Sequence, residues 1–376
     1  MILHIFTDDP KFTKLATEIF QQAEINSRYV VITSKENFAP DATSDAEIIN
    51  PDTAAYQSLI TSIPEYSLVV FHNMLGLNRQ FTKDILEAYL PQRPPFAWVF
   101  WGAELYGHIE PVSSFLGKDT KKIYNKRYKE RIVFFIKRYI YNRFNLKKLL
   151  SNFDYICSYI PQDIDRFNSR THLQLKPLWF TYYPIEKLIG DHLLNQKVVD
   201  RGNILIGNSS NFTCNHLETF KMIQKFDIQG NKIIVPLNYG DKAYARQIAK
   251  KGEKLFDRNF IALMDFMPRE EYNQLLLSCS AIILNLYRQQ AMGNIITALW
   301  LGARVYLNDF TTAYQYLKGI GLHLYSIEKD LNHNQEGDPF TRLSDKQIEE
   351  NRVILSEEFG TNAVIKKVKN SFKAFN

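Results

Sequence analysis

The sequence predicts an α/β protein with parallel sheets, arranged as two consecutive halves. Three observations carry this expectation. Apolar runs of strand length alternate with amphipathic helical stretches along most of the chain. The runs stop in polar turns rich in Gly, Asn and Asp. The series is interrupted once, from Trp179–Pro184 through a polar run to Gly202, and then starts again. The expected domains are therefore 1–185 and 200–345, followed by helices over 346–376.

Composition limits the function classes. A chain of 376 residues is long enough for two domains with full cores. Its 45% hydrophobic and 23% charged content is that of a globular rather than a disordered protein. The three cysteines, Cys157, Cys214 and Cys279, have no C-x-x-C spacing, which argues for a reducing compartment and against structural zinc. No apolar run reaches the ~18 residues of a membrane span. Met1–Thr7 reads as a strand rather than a secretory leader, so a cytoplasmic location is expected. The Asn211-Phe212-Thr213 sequon is then incidental.

In the first half, strands are expected at Ile2–Thr7, Arg28–Thr33, Leu68–His72, Phe96–Trp101 and Phe153–Tyr159. Phe12, Leu15, Ile19 and Phe20 share one face of the helix after the first strand, and Thr82–Leu90 is a further helix. Ligands of parallel α/β sheets sit beyond the carboxyl ends of the strands. Asp8, Asp9, His72, Asn73 and Glu104 all fall there, with Glu104 in the run Gly102-Ala103-Glu104-Leu105-Tyr106-Gly107.

Lys121–Lys148 differs in character: eleven Lys or Arg face a single acid, Glu130, and seven Tyr or Phe are interleaved. Three readings stand open: an interfacial membrane helix, a solvated cover for the sheet, or a nucleic-acid contact. The last is weakest, because no nucleic-acid motif occurs elsewhere.

The second half opens with the strand Asn203–Ile206 and the turn Gly207-Asn208-Ser209-Ser210-Asn211. A small polar turn between strand and helix (His216–Phe226) suits a phosphate, although it matches neither G-x-G-x-x-G nor the Walker pattern. Strands at Lys232–Leu237 and Phe260–Met264 follow, with helices at Lys242–Lys251 and Arg269–Ser278. The stretch Ser280–Asn308 then reads strand, loop, helix, strand. Ala281–Leu286 is a buried strand, Arg288–Asn294 a polar loop, and Gly293 marks a helix start that Gly302 ends. Free N–H groups at such a helix start attract anions, and Arg288 lies one turn before it.

Several short motifs carry a resemblance: Gly-Asn-Ser (207–209), Val-Pro-Leu-Asn-Tyr (235–239), Leu-Met-Asp-Phe-Met-Pro (263–268), Arg-Gln-Gln-x-x-Gly (288–293) and Trp-Gly-Ala-Glu-Leu-Tyr (101–106). Together they resemble the bacterial N-acetylfucosaminyltransferases of glycosyltransferase family 56, best over Gly202–Tyr325. The resemblance implies a GT-B fold, two Rossmann-like domains with parallel sheets facing across a cleft, the acceptor on the first and the nucleotide-sugar on the second. It implies transfer of a 4-acetamido-4,6-dideoxyhexose from a dTDP-sugar to a polyprenyl-diphosphate-linked saccharide in bacterial surface polysaccharide synthesis. No metal or other cofactor is implied. The enzyme would be peripheral on the cytoplasmic face of the inner membrane. A UDP-sugar-dependent transferase, a sugar-nucleotide epimerase of the same fold and a non-catalytic scaffold are the alternatives.

The same resemblance distributes the site residues. Gly207, Asn208, Ser209, Arg288, Gly293 and Asn294 would hold the diphosphate, with Arg288 stabilising the leaving group, and Gln289 would also bind the donor. Met264–Pro268 would border the thymine with Phe266 nearby, and Tyr239 would also bind the donor. Many GT-B enzymes grip the ribose with a glutamate about five residues before the glycine that closes the donor helix. That position is Thr297 here, so a carboxylate is lacking and a deoxyribose donor is expected, with Thr297 left to bond the 3′-hydroxyl of the sugar. His72, Trp101 and Tyr106 would meet the acceptor, and Glu104 is the first choice of general base, ahead of Asp8 and His72.

Overall fold

The computed structural model describes residues 1–6, 10–35, 45–74, 76–89, 92–128, 145–333 and 337–376. The chain forms two compact units. One comprises Met1–Ile109, Tyr139–Pro184 and Thr361–Asn376; the other comprises Glu110–Arg138 and Ile185–Gly360.

The first unit contains strands β1 (Ile2–Phe6), β2 (Ser27–Ile32), β3 (Glu47–Ile49), β4 (Leu68–Phe71), β5 (Phe96–Val99), β6 (Tyr155–Cys157) and β7 (Lys176–Leu178). They pair in parallel in the order β3-β2-β1-β4-β5-β6-β7. Every residue of β1, β4 and β5 is buried. Covered on both faces, these strands have no solvent side to alternate with, so they read as unbroken apolar runs. Both edge strands were missed by the sequence reading. Each has three residues, too few to display a period, and Pro177 suits only an edge. After β6, Pro161 opens the helix Pro161–Thr171, where its missing N–H costs nothing.

The last helices also fall differently from the expected block at 346–376. Asp345–Phe359 stays in the second unit, and Thr361–Phe372 belongs to the first. Val364, Val368 and Phe372 join the core beside Ala16, Ile19 and Phe20, with the Phe20 and Phe372 rings edge to face at 5.0 Å. The Trp179 amide donates to Ser371 Oγ at 2.7 Å, which fixes the helix along the sheet.

In the second unit, β8 (Asn203–Ile206), β9 (Ile233–Pro236), β10 (Phe260–Leu263), β11 (Cys279–Leu284), β12 (Arg304–Leu307) and β13 (Tyr325–Ser326) form a parallel sheet in the order β10-β9-β8-β11-β12-β13. Its core gathers Ile204, Ile206, Val235, Tyr244, Ile283 and Tyr306. The expected helix after β11 spans Met292–Leu301 and ends at Gly302, whose φ of +89° is left-handed. That conformation favours glycine, and a Cβ there would also displace the Ile348 side chain, whose Cδ1 lies 2.4 Å from the Cβ position.

The stretch from Glu110 was expected in the first domain and instead packs in the second unit. Glu218 caps its helix, Lys118–Tyr128, by accepting from the Asp119 and Thr120 amides at 2.7 and 3.0 Å and from Thr120 Oγ1 at 2.6 Å. Asn215 holds the preceding turn through the Gly117 amide at 2.8 Å and the Phe115 carbonyl at 3.2 Å. These partners are about a hundred residues apart in sequence, beyond the reach of local pattern. Most of the expected basic helix, residues 129–144, lies outside the described residues.

Candidate active site

A ligand crevice opens where neighbouring strands of a parallel sheet depart in opposite directions. In the second unit that switch point is between β8 and β11. The turn after β8 and the loop after β11 are the two segments expected to hold a diphosphate, and the topology brings them side by side.

Gly207 makes the turn. Its φ is +70°, and a Cβ would sit 2.7 Å from His216 Nε2, so only glycine lets the chain pass over that ring. Asn208 then faces the β11 loop: Gln290 Nε2 donates to Asn208 Oδ1 at 2.8 Å, and Thr213 Oγ1 donates to Gln290 Oε1 at 2.7 Å. A second tie lies deeper, where Asn215 Nδ2 donates to the Asn285 carbonyl at 2.9 Å. Asn308, at the end of β12, donates to Asn285 Oδ1 at 2.9 Å and to the Leu286 carbonyl at 2.8 Å. The Ser210 amide donates to the Tyr239 carbonyl at 2.7 Å, which joins the turn after β9 to the same hub. Of the residues in this network the sequence singles out Asn208, beside Gly207 and Ser209, and not Gln290, Thr213, Asn215 or Asn308. It named Gln289 from the Gln-Gln pair; nothing in spacing tells which of two adjacent glutamines faces the turn.

The head of the Met292–Leu301 helix completes this region. Its N-cap, Ala291, is left-handed at φ +62°, and no side chain caps the helix. The first-turn N–H groups, which include those of Gly293 and Asn294, lack an intrahelical acceptor, and the helix dipole is positive there. A left-handed alanine is strained by about 1–2 kcal/mol, a feature that gathers at ligand sites. Arg288 is half-buried, its guanidinium donating to the Gln289 carbonyl at 3.2 Å. Burial pushes the Cys214 thiol up, opposed by hydrogen bonds from Asn208 and Ser209 and, least, by the positive charge of Arg288. One cation, uncapped N–H groups and neutral amides gathered in neighbouring segments have the chemistry that suits an anion.

The remaining expected donor residues divide. Tyr239 and Phe266 are exposed (78% and 85%) beyond β9 and β10, available to stack a base. Asn294 is half-buried with its amide on the Tyr272 hydroxyl at 3.3 Å. Thr297 is 2% exposed, inside the apolar face of its helix, so the expected contact with a ribose hydroxyl has no surface to occur on. The helix carries no carboxylate at any position.

In the first unit the switch point lies between β1 and β4. Asp8 falls outside the described residues. His72 is not an open acceptor contact. It is 1% exposed, in a chain in which His4 Nδ1 meets His72 Nε2 at 3.0 Å and His72 Nδ1 meets the Tyr182 hydroxyl at 2.7 Å. Burial lowers the His4 pKa to about 3 and holds His72 far below its ordinary value, so both rings are neutral. Tyr106 is likewise interior, donating to Asp163 Oδ1 at 2.8 Å. Trp101 alone of this set keeps an open face, 39% exposed, braced edge-on by Phe12 at 4.2 Å and Tyr182 at 5.5 Å.

Glu104 was expected in a loop and is fully enclosed. Trp98 Nε1 donates to its Oε1 at 3.3 Å. Burial raises its pKa, opposed by hydrogen bonds from its own backbone, Trp98, and the Met74 and Trp101 backbones. A group so placed holds the Trp101 loop; as it stands it reaches no substrate.

Two parallel sheets with Rossmann strand order are the architecture of the GT-B class of glycosyltransferases. Solved structures similar to the chain over its whole length agree. HepE of Anabaena, in complex with UDP and glucose, matches at 11% identity over 100% of both chains, with a TM-score of 0.60. The sucrose-phosphate synthase of Thermosynechococcus elongatus matches at 10% identity over 100% of this chain and 98% of its own, with a TM-score of 0.65. The apo lipopolysaccharide outer core galactosyltransferase WaaB matches at 9% identity over 100% and 99%, with a TM-score of 0.59. The chain belongs to glycosyltransferase group 56, the 4-alpha-L-fucosyltransferase family, whose model matches residues 11–336. It is a glycosyltransferase, and its substrates are a nucleotide-sugar donor and an acceptor.

Proposed function

We propose that this enzyme moves a 4-acetamido-4,6-dideoxyhexose, N-acetylfucosamine-like, from a dTDP-sugar to a polyprenyl-diphosphate-linked saccharide in bacterial surface polysaccharide synthesis. One observation carries the donor half of this reading: the uncapped head of the Met292–Leu301 helix beside Arg288 and the Gly207–Ser209 turn. That constellation suits a departing diphosphate.

In the reaction, an acceptor hydroxyl attacks the anomeric carbon and the bond from that carbon to the diphosphate oxygen breaks. Arg288 and the N–H groups of Gly293 and Asn294 take up the charge that grows on the diphosphate, an effect greatest in the transition state. Trp101 stacks the acceptor sugar. The hydroxyl proton must pass to a carboxylate within hydrogen-bond reach. Glu104 is enclosed, so we assign it to positioning the Trp101 loop and give the base role to Asp8, two residues beyond β1 in sequence.

The acceptor assignment places the enzyme at a membrane. No helix among the described residues is long and apolar enough to cross one, so contact would be peripheral, through the basic segment 121–148 on the cytoplasmic face. The test is direct. The protein is incubated with dTDP- and UDP-linked sugars and a lipid-linked saccharide, and free nucleotide and acceptor mass are followed. Transfer of the dideoxy sugar from dTDP supports the reading; release of nucleotide without acceptor modification, or transfer only from UDP, overturns it.

A further inference from the structure

A cavity lies in the first unit, away from the carboxyl edge of its sheet. The helix Gly76–Tyr89 and the helical residues 145–150 flank this cavity of about 400 Å³. Arg79, Lys83 and Lys148 line it against one carboxylate, Glu87, a surplus of two positive charges. Leu86 and Leu149 supply apolar wall. Arg79, Lys83 and Glu87 recur every four residues and so share one face of their helix. Asn152, also in the lining, precedes β6 by three residues, and its carbonyl accepts from Arg93, which precedes β5 by three. The cavity therefore opens toward the amino ends of those strands, whereas substrates of such sheets bind at the carboxyl ends.

We propose that this cavity binds the phosphate of an anionic lipid head group and so seats the first unit on a membrane surface. Its volume falls in the range of small-molecule sites. Clustered lysines bind phosphate as point charges, and arginine adds a planar fork. Leucines beside those cations match the junction of a lipid, where phosphate meets glycerol and acyl chain; a wholly ionic ligand has no use for them. In sequence, Lys148 closes a segment, 121–148, with eleven cations to one acid, a composition that suits the same chemistry of anionic surface. The inference rests on the membrane-bound reading of the enzyme and gives it a defined site.

Co-sedimentation of the full-length protein with vesicles of phosphatidylcholine, with and without 30% phosphatidylglycerol (a chosen composition of about the charge density needed), tests it. Wild type is expected to bind only the anionic vesicles. Lys83→Glu with Lys148→Glu should weaken that binding about tenfold or more, since each cation contributes roughly a factor of five near such a surface. Glu87→Gln should strengthen it. Lys366→Glu with Lys373→Glu, the same charge change at exposed positions elsewhere in the unit, should weaken it far less. Circular dichroism and dTDP affinity, both expected at wild-type values, establish that the cavity variants are folded; if they are not, Lys83→Gln with Lys148→Gln replaces them. Equal loss in cavity and control pairs overturns the site and leaves diffuse attraction. Saturable binding of inorganic phosphate by calorimetry, with no preference for anionic vesicles, makes the source a free phosphate and overturns the lipid. Absence of any vesicle binding by wild type sinks the membrane reading as well, which separates the two failures.

Discussion

Gln290 and Asn208, 82 residues apart, are joined amide to amide: Gln290 Nε2 donates to Asn208 Oδ1 at 2.8 Å. With Thr213 on its other side at 2.7 Å, Gln290 holds the loop after β11 against the turn after β8. Gln290→Ala removes both bonds and leaves Asn208 and Thr213 short of a partner, a cost of about 1–3 kcal/mol. The loop that carries Arg288 then loses its fixed position. Donor affinity is expected to fall about tenfold with a small drop in the urea midpoint. Unchanged dTDP titration in the variant would remove Gln290 from the site.

Arg288→Ala should leave the fold intact and lower turnover by about 10²-fold, the usual effect of losing one preorganised charge donor. Asn294→Asp gives an independent check at the helix head. The added carboxylate favours the helix dipole by about 0.3–1 kcal/mol and repels a diphosphate, so stability holds while donor affinity falls. Parallel measurement of thermal midpoint and dTDP binding reads both. A folded Arg288→Ala enzyme with wild-type turnover would falsify its role.

Asp8→Asn should abolish transfer with donor affinity retained. Glu104→Gln should keep measurable transfer, because its amide oxygen still accepts from Trp98. Burial raises the Glu104 pKa, so the folded state holds that proton more tightly than the unfolded chain. Stability from this source is present at low pH and is lost as pH rises above the ordinary carboxyl value of 4.5. Glu104→Gln therefore matches or exceeds wild-type stability at pH 7. The reverse pattern, with Glu104→Gln inactive and Asp8→Asn active, returns the base role to Glu104.

Three buried histidines make the fold acid-sensitive. His4 and His216 are depressed to about 3, and His72 lies well below its ordinary value, all chiefly by burial. Between the unfolded value of 6.5 and about 3 the unfolded chain binds the extra protons. Stability is thus full above pH 6.5 and falls as pH decreases, by about 1.4 kcal/mol per pH unit for each histidine. Urea midpoints at pH 7.5 and 5 should show the loss, and His216→Gln should reduce it. A pH-independent midpoint counts against neutral buried imidazoles.

The donor helix has no carboxylate to grip a ribose, and Thr297 is buried. A ribose 2′-hydroxyl would lose a charged acceptor worth roughly 1.5–3 kcal/mol. Binding of dTDP should exceed that of UDP by about tenfold or more. Equal affinities, or tighter UDP, would move the donor to the UDP-sugars.

By itself the sequence determined the periodic elements: the buried strands β1, β4, β8 and β11, the helix ended by Gly302, and the helical tail. Each rests on local spacing and on glycine or proline chemistry that acts within a few residues. The phosphate-compatible turn at Gly207 and the helix start at Gly293 were legible for the same reason, and strand ends told where a ligand belongs. Tertiary structure decided which of those residues are available. It enclosed Glu104, His72, Tyr106 and Thr297, because burial depends on what packs over a residue and not on its neighbours in the chain. It selected Gln290 over Gln289, since only the fold brings Asn208 within hydrogen-bond reach. It placed Glu110–Tyr128 with the second unit and Thr361–Phe372 with the first, through Asn215, Glu218 and Phe372. Those contacts span about a hundred residues or more, a distance at which no hydrophobic period carries information.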